Sequence, residues 1–170
     1  GHGYWVVGLD GGVFAHTGAA FFGSGAAHHI NSPVRGIAST PTGRGYWLVA
    51  SDGGVFAYGD AHFHGSGTTH HLNSPITGIA TTPTGHGYWL VASDGGIFSF
   101  GSAKFHGSTG AIHLNPPVVG MAAGPSGPGY WPRATDVRIF HFGAAEFPGP
   151  HAPRPPHQPV PRTAAAPPRP

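Results

Sequence analysis

Short apolar runs alternate with glycine- and proline-marked turns along the whole chain, and the stretch from Gly45 to His86 shows the pattern most clearly. Tyr46-Trp47-Leu48-Val49-Ala50 is apolar at every position, which predicts a strand covered on both faces. Ser51-Asp52-Gly53-Gly54 follows, and Asp-Gly between apolar runs signals a hairpin, because such turns need positive φ. Val55-Phe56-Ala57-Tyr58 is the return strand, and Gly59-Asp60 turns the chain into Ala61-His62-Phe63-His64, a third, edge-like strand ended by Gly65-Ser66-Gly67. A polar loop through Asn73-Ser74-Pro75 leads to the fourth strand, Ile76-Thr77-Gly78-Ile79-Ala80, and Pro83-Thr84-Gly85 turns back.

The pattern recurs every 42 residues: Tyr4-Trp5, Tyr46-Trp47, Tyr88-Trp89 and Tyr130-Trp131 hold all four tryptophans. In the same register lie Asp10, Asp52, Asp94 and Asp136, and Phe21, Phe63, Phe105 and Phe147. A unit of this length cannot bury its apolar face alone, so copies must stack. Four short antiparallel strands per repeat match a β-propeller blade, and the chain is expected to be all-β, with about four blades or as part of a larger propeller. The small residues of Gly36-Ile37-Ala38, Gly78-Ile79-Ala80 and Gly120-Met121-Ala122 suit the innermost strand, where neighbours crowd the axis. A β-solenoid is the rival architecture, but its coils are usually shorter and lack paired Asp-Gly hairpins.

Composition supports strands over helices. Of 170 residues, 30 are Gly and 19 are Pro, and only 8% are charged. Gly and Pro cost about 1 and 3 kcal/mol in a helix interior. The chain has no cysteine, so neither a disulfide framework nor a thiolate metal site is expected. No apolar run approaches the roughly 18 residues of a membrane helix. The chain opens inside a repeat, which reads as a fragment of a longer parent.

Gly45-Tyr46-Trp47-Leu48-Val49-Ala50-Ser51-Asp52-Gly53-Gly54-Val55-Phe56, repeated nearly verbatim as Gly87 to Phe98, resembles a repeat of secreted and cell-surface proteins of high-GC Gram-positive bacteria. The resemblance spans residues 3 to about 147. It implies a propeller-like module outside the cell or on its surface, in a family whose repeats often accompany cell-wall hydrolase or peptidase domains.

Repeats beginning at Gly3, Gly45, Gly87 and Gly129 place a repeat domain at 1–149, followed by a Pro/Arg/Ala-rich tail, 150–170, expected to be disordered. The fourth copy decays: Tyr130-Trp131 is followed by Pro132-Arg133, and Asp136 by Val137-Arg138 where the other copies have Gly-Gly. Register persists in the tail, where Pro159 and Val160 fall 42 residues after Pro117 and Val118, so the tail could add one closing strand. Open sheet edges otherwise invite self-association.

Candidate chemistry is sparse. Four of the six carboxylates, Asp10, Asp52, Asp94 and Asp136, occupy one turn position, explained by a local side chain to backbone hydrogen bond. Asp60 and Glu146 alone make a poor acid/base pair, and no Gly-x-Ser-x-Gly elbow exists, so no catalytic residue is assigned. The fourteen histidines are read as surface residues rather than a metal site, and no cofactor is expected. The Tyr-Trp pairs are read as packing within and between blades, although on an exposed rim they would suit sugar rings. Basic residues form no clustered face, which argues against nucleic acid. Equivalent loop positions, Asn31, Asn73 and Asn115 with His29, His71 and His113, are the candidate ligand-binding residues. The resulting expectation is a noncatalytic extracellular module that binds cell-wall polysaccharide or a surface protein. The alternative is the accessory domain of a cell-wall hydrolase or peptidase whose catalytic domain lies outside this chain.

Overall fold

A computed structural model describes residues 3–27, 30–112, 114–115, 117–124 and 129–144. The chain is all-β and propeller-like, built from four small antiparallel sheets. The first sheet pairs β1 (Tyr4–Val7) with β2 (Val13–His16). The second has the order β3 (Val34–Ser39), β4 (Gly45–Ala50), β5 (Val55–Gly59). The third repeats it with β6 (Ile76–Thr81), β7 (Gly87–Ala92) and β8 (Ile97–Gly101). The fourth joins β9 (Val118–Ala123), β10 (Gly129–Ala134) and a short β11 (Phe142–Gly143). Among the described residues, helix is limited to two single 3-10 turns, Gly25–Ala27 and Gly67–Thr69.

The central strands β4 and β7 are buried at every residue, as their unbroken apolar runs require. Their hairpins turn on the expected chemistry: the Asp52 and Asp94 Oδ1 atoms accept from the N–H of Gly54 and Gly96 at 2.9 Å, while Gly53 and Gly95 take φ of 84° and 83°. The glycine-containing strands β3, β6 and β9 neighbour one another at the axis. A β-carbon on Gly78 would lie 3.0 Å from Gly120 Cα, so no side chain fits between these backbones.

The aromatic pair joins successive blades. Tyr46, Tyr88 and Tyr130 are 0% exposed, and Trp47 and Trp89 are 1% and 2% exposed. Tyr88 packs on Trp47 with ring centroids 5.8 Å apart, and Tyr130 on Trp89 at 5.2 Å. Each tyrosine of the following blade has its hydroxyl held from both sides. Tyr88 donates to the Gly65 carbonyl at 2.6 Å and accepts from His64 N–H at 3.1 Å; Tyr130 repeats this with Gly107 and His106. These pairs are core, and the exposed-rim reading fails for them.

Among the described residues, three strands rather than four make up each of the second, third and fourth sheets. The predicted third strand of the repeat, Ala61 to His64, forms no ladder because side chains take its backbone groups. Trp47 Nε1 donates to the His62 carbonyl at 2.8 Å, and His64 N–H is spent on Tyr88. The segment is therefore a clasp between blades instead of a fourth strand.

The fourth repeat is degraded as its sequence foretells. Pro132 stays in β10 opposite Met121 of β9, but the ladder to β11 holds only Gly129 and Tyr130 before an isolated bridge between Arg133 and Ile139. The proline has no N–H to offer the return strand. Val137 occupies the turn at φ 65°, a left-handed conformation costly for a β-branched residue by about 1–2 kcal/mol. Val137→Gly is expected to stabilise the domain by about 1 kcal/mol, measured by denaturant unfolding. The expected tail strand at Pro159-Val160 and the tail itself lie outside the described residues.

Burial holds the phenols of Tyr46, Tyr88 and Tyr130 above their ordinary ionisation range, partly opposed by their backbone hydrogen bonds. Their folded-state values exceed the unfolded ones, so this contribution to stability is fully present below about pH 10 and is lost as pH rises further. Alkaline unfolding monitored by circular dichroism is expected to coincide with tyrosinate absorbance from these residues. Complete tyrosine ionisation in a still-folded chain would contradict their burial.

Candidate functional site

Of the predicted Asn loops, the one carrying Asn73 borders both the Asp52 and the Asp94 hairpin, whereas Asn31 and Asn115 line neither of the two grooves formed there. The hairpin residue Ser51 ties two neighbouring sheets together: its N–H donates to the Pro33 carbonyl at 2.9 Å, and its carbonyl accepts from Ile76 N–H at 2.9 Å. Ser93 repeats both bonds with Pro75 and Val118. Because each hairpin is pinned between two axial strands, the Asn-Ser-Pro loop that precedes each axial strand lies beside a fixed Asp-bearing turn.

Two grooves result. One, of about 410 Å³, is lined by Ser32, Ser51, Asp52, His70, Asn73 and Pro75 among others. The next, of about 430 Å³, is lined by Asn73, Ser74, Ser93, Asp94 and Leu114 among others. Asn73 contributes to both. The linings mix apolar side chains with amide, hydroxyl and carboxylate groups and hold no lysine or arginine. Such groups serve hydrogen bonding to a neutral polar ligand.

The other predicted residues divide. Asn31, Asn73 and Asn115 are all exposed, and the Asn115 carbonyl accepts from Arg138 Nη2 at 3.2 Å. His71 is exposed but lines neither groove; its neighbour His70 does, with its ring edge-on to Phe98 and Phe100 at 5.9 Å each. His29 and His113 lie outside the described residues. Asp52 and Asp94 were legible only as turn formers, although each also borders a groove.

A second surface escaped the sequence reading. Phe21, Phe63 and Phe105 share a repeat position and are 58%, 59% and 60% exposed. Their backbones belong to the clasp segments, whose amide and carbonyl groups are anchored while the phenyl rings stand in solvent. An apolar ring displayed once per blade offers a stacking surface at a regular interval. The signal was the Phe that recurs in the 42-residue register, which the sequence reading placed in an edge-like strand without giving it a role.

Asp60 Oδ1 accepts from Thr40 Oγ1 at 2.8 Å and its other oxygen is bonded by Thr42, which holds its carboxyl below the usual range. Asp60 thus staples the Thr-Pro turn of its own sheet. Among the described residues, no cluster of three or more His, Asp or Glu side chains could hold a metal ion, and no helix is long and apolar enough to cross a membrane.

No family model and no curated protein matches the chain. Among solved structures, it is similar to a structural genomics protein of unknown function from Bacteroides thetaiotaomicron VPI-5482, with 15% sequence identity and a TM-score of 0.49. The match covers 69% of this chain and 32% of that protein, so the chain spans about a third of its length.

Proposed function

We propose that this chain is a noncatalytic binding module for a neutral, repetitive polymer, with cell-wall glycan as the ligand class. The observation that carries the reading is the position of Asn73 on the walls of two adjacent, similarly built grooves. A ligand with a repeating unit would meet a hairpin carboxylate and serine hydroxyls in each groove, Asp52 with Ser51 in one and Asp94 with Ser93 in the next, with the Asn73 amide between them. Linked weak sites gain avidity by effective concentration, without any single strong contact. Exposed Phe21, Phe63 and Phe105 supply apolar faces for sugar rings on a second surface. The carboxylates are engaged structurally: Asp52 and Asp94 cap turns and Asp60 staples one, which favours binding over acid/base chemistry. The resemblance to repeats of secreted and surface proteins supports a place outside the cell.

Co-sedimentation with purified cell walls and with peptidoglycan stripped of other polymers tests the reading. Wild-type protein is expected to sediment with walls. Asn73→Ala is expected to weaken binding by about 2- to 10-fold, the loss of roughly one net hydrogen bond, without lowering thermal stability. Phe63→Ala with Phe105→Ala tests the second surface in the same assay. A protein that fails to sediment with any wall preparation contradicts the glycan reading. Release of soluble wall fragments by this chain alone contradicts the noncatalytic one.

A further inference from the structure

Asp52 and Asp94 each spend one carboxylate oxygen on the turn and leave the other open. Asp94 Oδ1 accepts from Gly96 N–H at 2.9 Å, as Asp52 Oδ1 does from Gly54 N–H. Among the described residues, the second oxygen of each carboxylate has no hydrogen-bond partner. The same holds for the carbonyl of Asn73, on the loop that lines the Asp94 groove. A carboxylate oxygen is a strong acceptor, and hydrogen bonds to it are roughly twice as strong as those between neutral groups.

The fourth repeat shows what fills this arrangement. Asp136 and Asn115 stand 42 residues after Asp94 and Asn73, and position 138, in register with Gly54 and Gly96, is arginine. Asp136 Oδ1 still accepts from the Arg138 N–H, at 3.2 Å, so the turn is built alike. The Arg138 guanidinium then donates through Nε to Asp136 Oδ2, and through Nη2 to the Asn115 carbonyl at 3.2 Å. One small rigid group carrying two donors thus satisfies both acceptors at once. At the Asp94 hairpin, Gly96 has no side chain to offer, and a groove of about 430 Å³ is lined by the same two positions, Asp94 and Asn73.

We propose that this groove is a subsite for two adjacent hydroxyls of a sugar ring, with the open Asp94 oxygen and the Asn73 carbonyl as its acceptors. Asp52, with its own open oxygen, gives the neighbouring groove the same preference. The inference rests on the glycan reading and narrows it to polymers that keep vicinal hydroxyls free. In a neutral glycan, such a diol is the group that carries two donors on one rigid frame, as the guanidinium does in the fourth repeat. The Asn73 amide and the Ser93 hydroxyl, both on the lining and both without a partner among the described residues, supply donors to the diol oxygens. Charge alone does not select a cation here, since an ion pair open to solvent contributes only about 0–1 kcal/mol. Arg138 occupies the equivalent place in the fourth repeat, which leaves two successive units of ligand to be read by the Asp52 and Asp94 grooves.

Two variants change the subsite and spare the turn. Asp94→Asn keeps an oxygen to cap the Gly96 N–H and replaces the open acceptor with a donor. Gly96→Arg copies the Arg138 plug, with Gly96→Ala as its control; φ at Gly96 is not positive, and Arg138 carries a side chain in the same turn. Thermal unfolding matching wild type establishes that each is folded, and Asp94→Asn decides the matter should Gly96→Arg fail. The full chain is co-sedimented with purified cell walls, either intact or oxidised with periodate and reduced with borohydride. That treatment cuts the bond between adjacent hydroxyl-bearing carbons and leaves neutral alcohols. Wild type is expected to bind oxidised walls about 10-fold more weakly than intact ones, the effect of losing a hydrogen bond to a charged group. Asp94→Asn and Gly96→Arg are expected to show a similar loss on intact walls, and Gly96→Ala to bind as wild type does. Equal binding to oxidised and intact walls overturns the diol subsite and leaves the glycan reading standing, as does undiminished binding by Asp94→Asn. Displacement from intact walls by free arginine but not by a methyl hexoside also overturns it, because the groove would then take a cation. Failure to sediment with intact walls overturns the glycan reading and the subsite together.

Discussion

Tyr88→Ala is expected to destabilise the domain by about 3–5 kcal/mol, the range for truncating a large buried aromatic side chain. The ring is 0% exposed and packs on Trp47, His64 and Phe100. Its removal also leaves the His64 N–H and the Gly65 carbonyl without their partner at a blade junction. Tyr88→Phe keeps the packing and loses only the hydroxyl, with an expected cost of about 1–3 kcal/mol. Tyr4→Ala alters the same motif position but is expected to change stability of this 170-residue chain by about 0.5 kcal/mol or less, because that ring is 54% exposed. Urea unfolding of the three variants in dilute solution checks the series. Equal losses at Tyr4 and Tyr88 would show that the motif stabilises each repeat from within and does not join blades.

Gly65→Ala carries the second large effect, about 3 kcal/mol or more. Its φ of 135° is a conformation that residues with a β-carbon rarely adopt. The added carbon would also lie 2.5 Å from Phe100 Cδ1. Conformational strain and overpacking each cost about 1–3 kcal/mol, and here they coincide. Gly43 separates the two contributions. Its φ is 69°, yet an added β-carbon meets nothing within 4 Å, so Gly43→Ala is expected to cost only about 1 kcal/mol. Similar losses at both positions would indicate that the Phe100 ring moves aside and that the clasp is loose.

The repeat period made most of the architecture legible. Asp52 and Asp94 cap hairpins as their Asp-Gly context requires, and Gly78 falls at the crowded axis as its small neighbours imply. Pro132 and Val137 marked the weak fourth sheet in advance. The clasp was not legible, because Ala61-His62-Phe63-His64 alternates like an edge strand. What prevents pairing is the competition of Trp47 and Tyr88 side chains for its backbone groups, a contact spanning 15 and 24 residues. Phe63 was consequently placed in an edge strand, whereas it stands in solvent on the clasp. At the candidate site, Asn73 was singled out from its repeat position and lines both grooves, but periodicity cannot say which of two adjacent histidines faces a groove. His70 lines one and His71 does not, and only the path of the loop decides this. Asp52 and Asp94 were hidden for a different reason: their turn role accounts for them fully, so nothing in the sequence asks for a second one.

The central claim is that blades stack with the tyrosine of each repeat sealed against the tryptophan before it. Mild nitration of the folded chain in dilute solution, followed by peptide mass mapping, tests this most directly. Modification is expected at Tyr4 first, with Tyr46, Tyr88 and Tyr130 protected until the chain unfolds. Nitration of all four motif tyrosines at similar rates in the folded protein would contradict the stacked-blade account.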